Sequence, residues 1–196
     1  MSRQELDITA VTAWLSQNLA GFSGPVKARK IPGGQSNPTF WLSAASGDYV
    51  LRRKPPGKLL KSAHAVGREF RVQKALADSA VPVAQMHVLC DDDTVTGSMF
   101  YVMQAVDARN FIDPCLPGLS IPDRSEIFRE MGRVLAAIHD VDIAAVGLAD
   151  FGPEGNYYQR QIERWTKQYH ASQIDDIPAM DQLIDWLGAN IPPDDG

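Results

Sequence analysis

The sequence predicts an α+β fold: a five-stranded antiparallel sheet with one inserted helix, followed by a run of amphipathic helices. Three observations lead there. Short apolar runs bounded by Gly, Pro, Asn and Asp fill residues 26–106, as strands joined by turns would. One stretch with helical spacing interrupts them between the third and fourth runs. From residue 107 onward the apolar residues recur every three or four positions, the pattern of helices with one buried face.

Taken in order, the first helix spans residues 7–19, with Val11, Trp14 and Leu15 apolar and Gly21 as its stop. Strands over 26–31 and 39–44 flank a loop of small and turn-forming residues, Ile31-Pro32-Gly33-Gly34-Gln35-Ser36-Asn37-Pro38. The turn Ser46-Gly47-Asp48 leads into a third strand, Tyr49-Val50-Leu51-Arg52-Arg53, which ends in two cations. Pro55-Pro56-Gly57 breaks the chain, and a helix carrying Glu69 then runs from near Ser62 to near Ser79. A fourth strand over 85–90, a polar hairpin turn over 91–97 and a fifth strand over 98–106 complete the sheet.

The character then changes. Ile127, Phe128, Met131, Val134, Leu135 and Ile138 form one helical stripe, entered through Ile121-Pro122-Asp123. A glycine-rich connection over 147–155 leads to a second stripe, Tyr158, Ile162, Trp165 and Tyr169. A third, Met180, Leu183, Ile184 and Leu187, stops at Pro192-Pro193. The expected division is therefore a sheet-bearing region over 1–106 and a helical region over 107–196.

Composition bounds the function. With 44% hydrophobic and 22% charged residues and a net charge of −5, the chain is an ordinary globular sequence without the basic face that nucleic-acid binding needs. Two cysteines, Cys90 and Cys115, supply neither a disulfide framework nor metal-ligand spacing. The amino terminus lacks the apolar core of a signal peptide, and no apolar run approaches the ~18 residues that span a bilayer. A cytoplasmic protein with no membrane partner is expected.

The stretch 31–70 carries the chemistry. A glycine turn lets the backbone approach a phosphate closely, and its N–H groups attract anions. Val50 and Arg52 lie two apart on a strand and so share a face, where Val50 would line an adenine slot and Arg52 would reach phosphates. Ala65, Glu69, Val72 and Leu76 fall on one helical stripe, and a carboxylate there calls for a cation; Arg52 is the obvious partner. Each part also has a plain reading: a Gly-Gly hairpin, a solvated strand end, and an exposed Glu69 if Val66, Phe70, Gln73 and Ala77 form the packed face. The cations Arg52, Arg53, Lys54, Lys58 and Lys61 are open to the same two readings, a solvated loop or a phosphate-handling cluster. Glycine loop, strand cation and helical acid in this order are the phosphate-handling parts of a kinase small lobe. Met103-Gln104-Ala105-Val106, leaving the fifth strand, would then be a hinge whose backbone reads adenine, or else a simple strand end.

Other nucleotide motifs fail. Pro56-Gly57-Lys58-Leu59 lacks the upstream glycine and the Ser or Thr of a P-loop. Asp150-Phe151-Gly152 and Ile138-His139-Asp140 imitate protein-kinase motifs, but position 145, where a metal-binding Asn belongs, is Ala145. Asp150 is expected in a turn or cap. The residues two positions beyond the four histidines are Val66, Leu89, Val141 and Ser172, so no His-x-Asp catalytic loop occurs in these 196 residues.

The phrases GGQSNPTF, YVLRRKPPGKLL, SAHAVGREFRV, FYVMQAV and NYYQRQIERWTKQY resemble the aminoglycoside phosphotransferase and choline kinase-like superfamily. The nearest resemblance is to the kinase-like domain carried at the amino end of some acyl-CoA dehydrogenases. It implies a kinase-like small lobe plus the first helices of a large lobe. It also implies ATP or GTP with magnesium, and phosphoryl transfer to a hydroxyl of a small substrate such as a hydroxyacyl-CoA. The residues it marks for the nucleotide are Gly33, Gly34, Gln35, Ser36, Asn37, Val50, Arg52, Glu69, Gln104 and Val106. Arg52 stands where such proteins commonly have Lys, which keeps the charge but not the compact ammonium. Their catalytic loop and metal-binding Asp follow the segment Ile191-Pro192-Pro193-Asp194-Asp195-Gly196, so the chain is expected to be a fragment or truncated product. It is expected to bind nucleotide weakly, hold no metal and catalyse nothing alone. The alternative is a non-catalytic, pseudokinase-like module. Apolar helix faces around Met131, Leu135, Trp165 and Tyr169 are expected to be partly uncovered, giving either a homodimer that buries them or poor solubility at high concentration.

Overall fold

A computed structural model of the protein describes residues 6–32, 37–55, 65–152 and 155–192. By contacts the chain divides into two compact units, 1–148 and 149–196. This division by contact follows α4 (Ile121–His139), whereas the boundary expected at 106/107 marks the change from strands to helices.

The first unit is built on a fully antiparallel sheet. Its strands are β1 (Lys27–Lys30), β2 (Thr39–Ala44), β3 (Gly47–Arg53), β4 (Met86–Cys90) and β5 (Phe100–Gln104), in the order β1-β2-β3-β5-β4. Strand alternation sorts its side chains onto two faces. One face, with Phe40, Leu42, Leu51, Phe100 and Val102, packs against Val11 and Leu15 of α1 (Ile8–Asn18), and all but Phe40 are fully buried. Trp14 closes edge-on against Phe100 at 5.3 Å. The carboxylate of Asp7 caps α1, accepting from the Ala10 N–H at 2.9 Å. The opposite face, with Met86 and Tyr101, is covered by Val66 and Phe70 of α2 (Val66–Ala75).

Adjacent cations at the end of β3 separate by this alternation. Arg52 faces α2. Arg53 points into the other core, 2% exposed, donating to the Thr96 carbonyl at 3.0 Å and lying over the Phe40 ring. Burial pulls its guanidinium below the usual range.

Several boundaries differ from expectation for local reasons. The turn before β3 is residues 45–46, so pairing begins at Gly47, whose φ of +132° only glycine adopts without strain. The α2 helix ends at Ala75, short of Ser79, because the Ser79 hydroxyl and N–H both bond the Leu76 carbonyl and close a turn there. Ser62, its expected start, lies outside the described residues. The polar hairpin holds a one-turn helix, α3 (Asp93–Thr96), capped by Asp92 and ended by Gly97 in the left-handed region. β5 spans only Phe100–Gln104; just ahead of it the Ser98 hydroxyl donates to the Lys54 carbonyl at 2.5 Å.

Helix α4 is capped by Ser120, with proline in its first turn. His139 is its last residue, Asp140 its C-cap and Asp150 part of a turn, so the imitation motifs are a helix end and a turn. The second unit is a pair of helices, α5 (Tyr157–Ser172) and α6 (Pro178–Ala189), packed along Ile162, Trp165, Tyr169, Leu183 and Leu187. No residue of α4, α5 or α6 is buried. No helix of the described residues is long and apolar enough to cross a membrane.

Candidate functional site

The site lies on the α2 face of the sheet. In register, Arg52 of β3 stands between Thr39 of β2 and Tyr101 of β5, so these three side chains project in one row. Glu69 comes down from the first turns of α2. Its Oε2 accepts from Arg52 Nε at 2.8 Å and from the Tyr101 hydroxyl at 3.1 Å. Its Oε1 accepts from Asn37 Nδ2 at 3.0 Å. Arg52 NH1 also donates to Thr39 Oγ1 at 3.1 Å. The Gln73 amide, one helical turn beyond Glu69, reaches the Tyr101 hydroxyl at 3.5 Å.

Burial within this cluster is uneven, and that bears on its chemistry. Tyr101 is 1% exposed and Asn37 3%, whereas the Arg52 and Glu69 side chains are 28% and 34% exposed. The neutral groups form a dry floor, and the ion pair opens towards water. Burial pushes the Tyr101 hydroxyl up to about 12, the Glu69 charge adds to this, and Gln73 and Arg52 pull the other way. Tyr101 thus stays a hydrogen-bond donor throughout the working pH range. Arg52 spends two of its five N–H donors on Glu69 and Thr39, and remains a fixed cation at the edge of the cleft face.

Most of the expected site residues are placed by this geometry. Asn37, Arg52 and Glu69 are brought together. Glu69 arrives from a different stripe than expected: Val66 and Phe70 are the buried positions, while Ala65 is exposed and Val72 and Leu76 are only half-buried. Glu69 therefore sits at the rim of the packed face, one residue round from its centre, where it can be both paired and wet. Val50 does share the face of Arg52, between Trp41 and Met103, but it is 6% exposed and offers little surface to a ligand. At the end of β5, Gln104 is held by residue 85: its N–H donates to the Gln85 carbonyl at 2.8 Å, and its side-chain oxygen accepts from the Gln85 N–H. Val106 lies beyond the strand, 54% exposed. Gly33, Gly34, Gln35 and Ser36 fall outside the described residues. Sequence reasoning missed Tyr101, Thr39 and Gln73. Only the β3–β5 register sets Tyr101 opposite Arg52, and no local spacing encodes it.

Among the described residues no three His, Cys, Asp or Glu side chains gather as a metal site.

Comparison with known proteins adds the family. Residues 27–196 match the model of the phosphotransferase enzyme family. A crystal structure from Ralstonia eutropha, provisionally named an aminoglycoside phosphotransferase, superposes with a TM-score of 0.79 at 49% identity, covering 96% of this chain and 55% of that one. A probable acyl-CoA dehydrogenase of Arabidopsis thaliana, IBR3, is 44% identical over 99% of this chain and 25% of its own length. Acyl-CoA dehydrogenase family member 11 of Mus musculus is 43% identical over the whole chain and 26% of its own length. The chain thus spans about a quarter of the length of these curated relatives. The five-stranded antiparallel sheet, the helix that covers it and the match over most of the sequence agree, and the chain belongs to the phosphotransferase enzyme family.

Proposed function

We propose that these residues form the nucleotide-binding part of a phosphotransferase that moves the terminal phosphoryl group of ATP or GTP to a hydroxyl of a small substrate. One observation carries the reading: the 2.8 Å Arg52–Glu69 pair on the α2 face of the sheet, joined by Asn37 from the end of the glycine loop. Phosphoryl transfer needs little covalent help from protein and much positioning of charge. Arg52 is oriented by Glu69 and Thr39, and its planar fork suits phosphate oxygens. Magnesium, when bound with the nucleotide, would supply further positive charge at the phosphates, and this chain's residues orient the nucleotide. The phosphate acceptor is proposed as a small hydroxyl compound. A hydroxyacyl-CoA is the natural candidate, because relatives carrying this region are named acyl-CoA dehydrogenases. A cytoplasmic location and burial of the apolar helix faces in a homodimer belong to the same proposal.

Calorimetry with ATP and GTP, with and without magnesium, tests it. Binding with a Kd on the order of 10 μM or weaker is expected, and lost in Arg52→Ala. No heat and no thermal shift with either nucleotide at millimolar concentration would reject nucleotide binding. Tight, magnesium-dependent binding below about 1 μM would show that a metal site lies within these residues.

A further inference from the structure

We infer that Tyr101 is a positioning residue: its buried hydroxyl holds Glu69, and with it α2, against the sheet, so Arg52 can engage phosphate without releasing the helix. The inference rests on the nucleotide reading above and deepens it. If Arg52 were the sole donor to Glu69, a bound phosphate and the Glu69 carboxylate would compete for one guanidinium. Each gain at the ligand would loosen the helix. Tyr101 removes that competition because it is neutral and rooted elsewhere.

Its ring is 1% exposed in β5 and packs against Phe70 of α2 at 6.0 Å between centroids. A phenol both donates and accepts, and both roles are filled: it donates to Glu69 at 3.1 Å and faces the Gln73 amide at 3.5 Å. Both of those partners stand on α2, one turn apart, so the hydroxyl grips the helix at two points. Asn37 satisfies the other carboxylate oxygen at 3.0 Å. Glu69 therefore draws on three separate segments, and of these donors Arg52 is the cation suited to phosphate.

Tyr101→Phe removes one oxygen and keeps the ring, so the core remains filled. Affinities for ATP and for adenosine are measured in parallel, together with hydrogen exchange of the α2 amides without ligand. The expected result is about five- to tenfold weaker ATP binding with adenosine unchanged, because only the phosphates depend on the Arg52–Glu69 geometry. The α2 amides should exchange about tenfold faster while those of β2 and β3 keep their protection. Equal losses for ATP and adenosine, or unchanged α2 exchange, would overturn the inference and leave the hydroxyl as a merely satisfied core group. If the wild-type chain binds neither ligand, the nucleotide reading fails by itself. The α2 exchange then decides the role of Tyr101 alone: faster exchange upholds the helix anchor, and unchanged exchange ends it. Should Tyr101→Phe fail to fold, Gln73→Ala loosens the hydroxyl from its other side, and the same pattern is expected at smaller size.

Discussion

Leu51 and Leu135 carry the same side chain to opposite ends. Leu51, in the middle of β3, is fully buried between α1 and the neighbouring strands; Leu135, in α4, is 54% exposed. The contrast extends to their surroundings. Phe100, Leu42 and Val102 of the sheet are all fully buried, whereas Phe128 and Met131 of α4 are 53% and 60% exposed and Trp165 of α5 is 56% exposed. The sheet with α1 and α2 closes its own core, and the Arg52–Glu69 cluster is satisfied from within. The later helices have the pattern of core-facing helices without a core of their own. Amphipathic spacing is thus a statement about what a helix can cover, and the fold decides whether it does.

Mutation can break this contrast or sharpen it. Leu51→Ala should cost about 3 kcal/mol in denaturant unfolding, since it opens a cavity in a closed core. Leu135→Ala should cost about 0.5 kcal/mol or less. Comparable losses at both positions would mean that the α4 face is buried after all, and the contrast would collapse.

A second test is alkaline. Tyr101 holds its proton more tightly folded than unfolded, so its contribution is fully present below pH ~10 and is lost as pH rises towards ~12. That loss amounts to about 2 kcal/mol of unfolding free energy from this residue. Tyr101→Phe should show a shallower fall over the same interval, measured by urea unfolding at stepped pH. Matching slopes would mean that the hydroxyl is not buried as the geometry shows.

Glu69→Gln is a smaller perturbation. It keeps the shape and removes the charge from a pair that is about one-third exposed, so about 1 kcal/mol is expected, diminishing in high salt. A salt-independent loss would place the pair deeper than its exposure indicates.

The smallest effect sharpens the comparison from the helical side. Ser120→Ala removes the cap of α4, whose hydroxyl accepts from the Asp123 N–H at 3.2 Å, at a local cost of about 0.5–1 kcal/mol. Hydrogen exchange should rise in the first turn of α4 and stay unchanged in the sheet. Spread of the effect into β3 or β5 would reveal coupling between regions that the burial pattern keeps apart.

Sequence alone determined much of this protein, because much of it is local. Period-two and helical spacing, with Gly, Pro and Asp at the turns, located all five strands and the main helices. The order of glycine turn, strand cation and helical acid named Arg52 and Glu69 as partners, which meet at 2.8 Å. What it could not supply is what depends on two segments at once. Arg52 and Arg53 are chemically alike and adjacent, and only strand alternation within a paired sheet sends one to the cleft face and buries the other in the core. The stripe of α2 was ambiguous by one residue, since Ala65 and Val66 are both apolar; packing on Tyr101 and Met86 chose Val66 and left Glu69 at the rim. Tyr101 itself carried no signal, because its role exists only once β3 and β5 pair in a register that sets it opposite Arg52. Propensity and periodicity act within a few residues, whereas register and burial are settled by distant segments competing for the same core, and that competition is resolved only in the folded chain.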